Sequence, residues 1–283
     1  MTLGNLISTR KAKLTPKYGE GEAQWMLRTI LEYLKGWDQV ELAVRSGDEV
    51  SDFITGKVDA IVDRLLNDEP LQYIIGETYW HGMTLKVTPD VLIPRPETSE
   101  LIDMIADRNS GSDLAVLDLC TGSGCIAVAL ATVLPFSHVS AMDVSEAALK
   151  VAEENSALRK VKVDFRKGDV LSPLPYDDGE FDIIVSNPPY IAEDEKKDMD
   201  KNVLDHEPAL ALFVPDDDPL KFYKPIAREG LRVAKPGGQL WFEINPRFAS
   251  ELSEMMTAEG WEDVAILLDS NGKKRFAYGK KSS

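Results

Sequence analysis

Cysteine and histidine are scarce in this chain, and its cationic residues are outnumbered. The two cysteines, Cys120 and Cys125, fall in one short segment, which leaves no disulfide framework and no thiolate set for a structural zinc. The three histidines, His81, His138 and His206, lie far apart with no acid at ligand spacing, so no metal site is expected. No stretch approaches the roughly 20 apolar residues of a membrane span. Residues 1–15 interleave apolar positions with Arg10, Lys11 and Lys13, unlike the continuous apolar run of a signal peptide. The expectation is a soluble protein of a reducing, cytoplasmic compartment. Only 32 Lys and Arg stand against 48 Asp and Glu, a net charge of −16. That balance argues against a duplex-wrapping protein, because affinity for phosphate comes from cationic side chains.

The composition, 43% hydrophobic and 28% charged, is that of a globular protein, and 283 residues are enough for about two domains. Ala23, Met26, Leu27, Ile30, Leu31 and Leu34 share one helical stripe that stops at Gly36. Ile54, Val58, Ile61, Val62, Leu65 and Leu66 form a second stripe, closed by Pro70. Residues 1–69, with nine Lys/Arg and twelve Asp/Glu, read as a mildly acidic helical domain for recognising a partner. Residues 70–96 turn to short extended runs at 73–75, 78–80 and 84–87, a β-hairpin linker. A helix should begin near Glu100, capped by Thr98 or Ser99.

Residues 97–283 read as the catalytic domain. Apolar runs at 114–119, 139–142, 161–165, 181–186 and 240–244 alternate with helical patterns at 126–133, 147–158 and 222–233. This is the pattern of a mostly parallel sheet covered by helices on both faces. Runs at 261–267 and 275–278, joined through Asn271-Gly272, add an antiparallel hairpin that an ordinary dinucleotide-binding domain lacks.

Chemistry concentrates where these strands end. After the first comes Cys120-Thr121-Gly122-Ser123-Gly124, a turn whose free backbone amides can approach a ligand closely. The second strand ends in Asp143, placed to accept hydrogen bonds from ribose hydroxyls. The pair indicates a nucleoside cofactor and fits nicotinamide, flavin or S-adenosylmethionine. Asp169 and Val170, one strand further along, can border an adenine, although a turn-forming Asp reads the same way.

The fourth strand exits through Asn187-Pro188-Pro189-Tyr190. The prolines fix the backbone, so the Asn187 side-chain oxygen and the Pro188 carbonyl become two fixed acceptors. They suit a planar NH2 group with Tyr190 packed on its flat face. An amide nitrogen is a poor nucleophile because its lone pair is delocalised. Two fixed acceptors favour the geometry that frees the lone pair, and they stabilise the positive charge that develops on nitrogen. A sulfonium methyl is the matching electrophile. On these residues adenine and glutamine serve equally well as acceptor, so an adenine amino-methyltransferase of DNA or RNA stands as the alternative. A cofactor-binding scaffold is a third reading. Asp216 to Asp218 read as a solvated loop and Trp241 as core or sheet surface.

Pro94-Arg95-Pro96-Glu97-Thr98, residues 118–124, Asp143, Asn187 to Tyr190, Glu207-Pro208-Ala209-Leu210 and Gly272-Lys273-Lys274-Arg275 together resemble the peptide chain release factor glutamine methyltransferases (PrmC/HemK type) across essentially the whole chain. The resemblance implies a class I, Rossmann-like methyltransferase fold with a seven-stranded sheet. It implies transfer of a methyl group from S-adenosylmethionine to the glutamine of a release factor's Gly-Gly-Gln motif. Carried over by position, Cys120 to Gly124 would hold the methionine part of the cofactor, Asp143 the ribose, and Asp169 and Val170 the adenine. Asn187 would lie between cofactor and substrate; Pro188, Pro189 and Tyr190 would complete the glutamine pocket. The helical domain would contact the release factor away from the glutamine, and the acidic balance favours that protein substrate over nucleic acid. The chain departs from the family at Cys120, usually glycine, at Ser99, commonly Glu, and at Asn245, usually glycine.

Overall fold

The computed structural model describes all 283 residues, which divide into two compact units, residues 1–76 with 200–206 and residues 77–199 with 207–283. In the first, α1 (Leu3–Lys35) starts at Thr2, whose side chain accepts from the Asn5 amide, and is interrupted at Gly19, where φ is 78°. The predicted stripe covers only the second half of this helix. Gly19, Gly21 and Pro16 break the apolar period that would have revealed the first half. α2 (Gln39–Val44) opens with a reciprocal Asp38–Glu41 capping box, and α3 (Asp52–Leu66) is capped by Ser51. Residues 73–75, expected to be extended, instead lie in the short helix α4 (Leu71–Ile75), started by Pro70 and ended by Gly76 in the left-handed conformation. Leu3, Leu6, Leu27, Ile30, Val58, Val62 and Leu65 are among the side chains that bury this unit's core. The Arg10 guanidinium donates to both carboxylate oxygens of Asp59 at 2.7 and 2.8 Å, pinning α1 to α3.

The second unit opens with the hairpin β1 (Glu77–Trp80) and β2 (Met83–Lys86), which belongs to this unit and not to a separate linker. Next comes α5 (Pro96–Arg108), which starts four residues before the expected Glu100. Proline is well placed in a first helical turn because the amide it lacks has no partner there. The Thr98 hydroxyl, expected as a cap, is used elsewhere. Then follow β3 (Ala115–Leu119), α6 (Cys125–Val133), β4 (His138–Asp143), α7 (Glu146–Arg159), β5 (Val163–Lys167), β6 (Phe181–Ser186) and β7 (Ile191–Ala192). After α8 (Lys201–His206), which groups with the first unit, come β8 (Phe213–Val214), α9 (Tyr223–Val233), β9 (Ala234–Glu243), α10 (Ala249–Glu259), β10 (Glu262–Leu268) and β11 (Lys274–Lys280).

Seven strands form one sheet in the order β10-β11-β9-β6-β3-β4-β5. All neighbours are parallel except β11, which runs antiparallel to both β9 and β10. Two buried clusters flank the sheet, one containing Leu117, Ile184, Leu240 and Trp261, the other Val116, Val185, Leu101 and Trp241. Trp241 is therefore core. The edge strand β5 sits two residues later than expected, because its outer face is largely exposed and its alternation is weak. No helix is long and apolar enough to cross a membrane.

From β3 the chain winds one way through β4 and β5, then returns to place β6 on the other side of β3. The crevice beyond the carboxyl ends of β3 and β6 is a topological switch point, where open α/β sheets bind ligands.

Candidate active site

Strand register decides which residues meet at that crevice. Leu119 pairs with both Met142 and Ser186, and Ser186 pairs with Phe242. The next residue on each strand, Cys120, Asp143, Asn187 and Glu243, therefore stands in a row at the sheet's carboxyl edge, each about 4.8 Å from its neighbour strand. The Ser186 hydroxyl donates to the Leu119 carbonyl at 2.7 Å and locks the two central strand ends together. A cleft with a cavity volume of about 270 Å³ opens over this row. Cys120, Thr121, Gly122, Ser123, Asp143, Asp169, Val170, Asn187 and Pro189 all line it.

The remaining predicted residues, Gly124, Pro188 and Tyr190, adjoin the lining residues in the chain. Gly124 is the N-cap of α6 with φ 76°, and a Cβ there would come within 2.8 Å of the Ala152 Cβ and 3.1 Å of its Cα. Only glycine lets the turn close so tightly on α7. Pro188 is buried, and Tyr190 is half-buried against the core.

The donor set fits a cationic nucleoside. Asp143 Oδ2 accepts from the Gly122 amide at 2.8 Å and Oδ1 from the Ser145 amide at 2.9 Å. Each oxygen keeps a lone pair for a ribose hydroxyl. Burial raises the Asp143 pKa, opposed by its backbone donors. Deeper in, Asp118 Oδ2 accepts from the Thr121 hydroxyl at 2.5 Å and the Ala127 amide at 3.1 Å, while its Oδ1 has no partner. Burial pushes the Asp118 carboxyl up to about 7. Burial also raises both thiols, Cys125 to about 12, so neither is a thiolate near neutral pH that would compete for an electrophilic methyl.

Sequence reasoning left the roles of several supporting residues unassigned. Asn155, in the middle of α7, is fully buried; its side chain bonds the Ser123 carbonyl at 2.9 Å and both backbone groups of Lys86, joining the cofactor turn to β2. Glu207 Oε1 accepts from the Arg95 guanidinium at 2.6 Å and Oε2 from the Ile93 amide at 3.3 Å. This pair ties the segment around Pro94 to the one around Pro208, both of which line the cleft. Glu243, with Thr98 and Tyr190 on its carboxylate, is the third. Removing Arg95 would leave the Glu207 carboxylate, only 2% exposed, without its cation. Arg95→Ala is expected to lower unfolding free energy by about 2 to 3 kcal/mol, measured by chemical denaturation.

Residues 97–208 match the methyltransferase small domain, and residues 9–76 match the PrmC N-terminal domain. The release factor glutamine methyltransferase of Bacteroides thetaiotaomicron is 46% identical over 77% of this chain and 78% of its own length. That of Flavobacterium psychrophilum is 38% identical over 91% and 92%, and that of Deinococcus radiodurans 32% over 100% and 99%. The chain belongs to the release factor glutamine methyltransferase family. The fold agrees: a methyltransferase from Pyrococcus furiosus superimposes with a TM-score of 0.53 at 17% identity, covering 78% of this chain and 98% of that one. A family with this fold and chemistry is S-adenosylmethionine-dependent.

Among the cleft residues, Cys120 carries backbone strain. Its φ is 61°, in the left-handed region where a side chain costs about 1 to 2 kcal/mol. The chain tolerates this because the side chain packs against the core cluster of Leu117 and Phe242, which offsets the strain. Cys120→Gly removes strain and packing together, so the stability change expected from thermal denaturation is less than about 1 kcal/mol.

Proposed function

We propose that this chain transfers the methyl group of S-adenosylmethionine to the side-chain amide nitrogen of the glutamine in the Gly-Gly-Gln motif of peptide chain release factors, in the cytoplasm. The Leu119–Ser186 pairing carries the reading, because it sets the cofactor turn and Asn187 on adjacent strand ends facing one cleft. When bound, S-adenosylmethionine supplies a methyl on a sulfonium, with a neutral thioether as leaving group.

The protein's contribution is placement and charge. Cys120 to Gly124 and Asp143 would hold the cofactor's methionine part and ribose, with Asp169 and Val170 beside the adenine. Asn187 and the Pro188 carbonyl would accept both amide hydrogens of the glutamine while Tyr190 covers its face. Holding both hydrogens orients the nitrogen lone pair and stabilises the charge it gains. The methylated nitrogen then sheds its proton, so no strong base is needed before attack. We assign release-factor recognition to the helical domain, supported by the large apolar side chains it leaves exposed, Tyr33, Val44 and Phe53 among them.

Mass spectrometry of release factor incubated with the protein and S-adenosylmethionine tests the reading. One added methyl on the Gly-Gly-Gln glutamine is expected. An unmodified release factor alongside a folded, cofactor-bound protein, or preferential labelling of DNA, would sink it.

A further inference from the structure

The carboxyl end of β9 grips Tyr190 at two points. The Tyr190 hydroxyl donates to Glu243 Oε1 at 3.0 Å, and the Tyr190 carbonyl accepts from Asn245 Nδ2 at 3.0 Å. Glu243 is 1% exposed, and its other carboxylate oxygen accepts the Thr98 hydroxyl at 2.6 Å. Its backbone carbonyl accepts from Tyr223 at 2.9 Å.

A buried carboxylate is costly to keep, and a buried apolar side chain would serve the sheet at least as well. Nothing in the strand pairing calls for an acid, because the Glu243–Phe276 register is a matter of backbone. What the acid supplies is a pair of acceptors, one held by the Thr98 hydroxyl and the other fixed for the Tyr190 phenol. The χ2 torsion of tyrosine is broad, so the ring plane of a half-buried tyrosine is poorly set by its rotamer alone. A hydrogen bond from the hydroxyl to a carboxylate that is itself immobilised removes that freedom. Asn245 holds the backbone of the same residue and also donates to Glu195 Oε1 at 2.7 Å.

We propose that Glu243 is a positioning residue for methyl transfer, acting through Tyr190, whose ring plane it fixes against the face of the substrate amide. This rests on the assignment of that amide to Asn187–Tyr190. The attacking nitrogen must meet the methyl with its lone pair aligned, and displacements of about 1 Å can cost on the order of 100-fold in rate. Loosening the ring therefore shows as lost turnover more than as lost binding.

Steady-state kinetics of the full chain with S-adenosylmethionine and intact release factor test this in Glu243→Gln, Tyr190→Phe and the double variant. Glutamine keeps the volume and one acceptor oxygen but not the charge. Each single variant is expected to lower kcat about 10-fold, with the release-factor KM and equilibrium cofactor binding within about twofold of wild type. The double variant should be no slower than the slower single one, because both weaken the same link, glutamine offering one oxygen to the two hydroxyls that Glu243 now holds. Multiplied effects in the double variant, or wild-type kcat in either single one, overturn the proposal. Should Glu243→Gln fail to fold by circular dichroism, Tyr190→Phe decides alone, since it breaks the same bond from its half-buried end. There, loss confined to kcat supports the proposal and unchanged kcat overturns it. Asn187→Ala separates the two levels of the argument. Wild-type turnover in that variant removes the amide assignment and the inference with it; an inactive Asn187→Ala beside a fully active Glu243→Gln removes only the positioning role.

Discussion

Asn187→Ala is expected to lower kcat by about 10² to 10³-fold, the range found when one preorganised group is taken from a developing charge. Cofactor affinity and thermal stability should change little. The fold does not depend on this side chain, because the strand end is held one residue earlier by the Ser186 hydroxyl on the Leu119 carbonyl at 2.7 Å. The backbone beyond it is fixed by Pro188 and Pro189, both buried. What is lost is one of two acceptors for the amide hydrogens, whose effect is greatest when the nitrogen begins to carry positive charge. The measurement is single-turnover methylation of release factor at saturating S-adenosylmethionine, with cofactor binding followed separately by calorimetry. Turnover within about threefold of wild type would remove Asn187 from the reaction, and a parallel collapse in cofactor affinity would make it a cofactor ligand instead.

The place of Asn187 at a strand exit was legible because its environment is local. Residues 181–186 form a mostly buried run, apolar but for the part-buried Asp182 and the terminal Ser186, so the sequence and structural limits of β6 coincide and its exit is unambiguous. Asp143 follows from the same logic on β4. The amino half of β9 was not legible, since Ala234-Lys-Pro-Gly-Gly reads as a turn. It extends the strand only through a register shift between the Phe181 and Ile183 pairings. Glu243 and Asn155 were hidden for a different reason. A lone acid at a strand end or an asparagine in a helix looks solvated until distant segments cover it, and one of the two hydroxyls on Glu243, that of Thr98, lies 145 residues away. The family resemblance marked the segments containing Thr98 and Glu207 without saying what they hold. Their function is tertiary, closing carboxylates that no local period encodes.

Asp143→Ala is expected to weaken S-adenosylmethionine binding by about 100-fold. Two hydrogen bonds from ribose hydroxyls to an ionised carboxylate supply roughly 3 kcal/mol, and 1.4 kcal/mol corresponds to a factor of 10. The same change frees the Gly122 and Ser145 amides that the carboxylate now holds, which loosens the cofactor turn as well. Equilibrium dialysis with labelled cofactor measures the loss; affinity within about threefold of wild type would exclude Asp143 from the site. The cofactor's charge adds a pH signature. Burial raises Asp143 above its ordinary value and Asp118 to about 7, so the folded protein keeps a proton on Asp118 that the unfolded chain has already released. Its contribution to stability therefore falls as pH rises from about 4 toward 7. A sulfonium cation favours the ionised carboxylates, so binding expels a proton, and affinity should rise as pH climbs toward about 7 and level off above it. S-adenosylhomocysteine, which lacks the sulfonium charge, should show a shallower rise, and Asp118→Asn should flatten both. Equal slopes for the two ligands would mean that the protons released come from groups indifferent to the sulfonium, and would remove Asp118 and Asp143 from the electrostatics of cofactor binding.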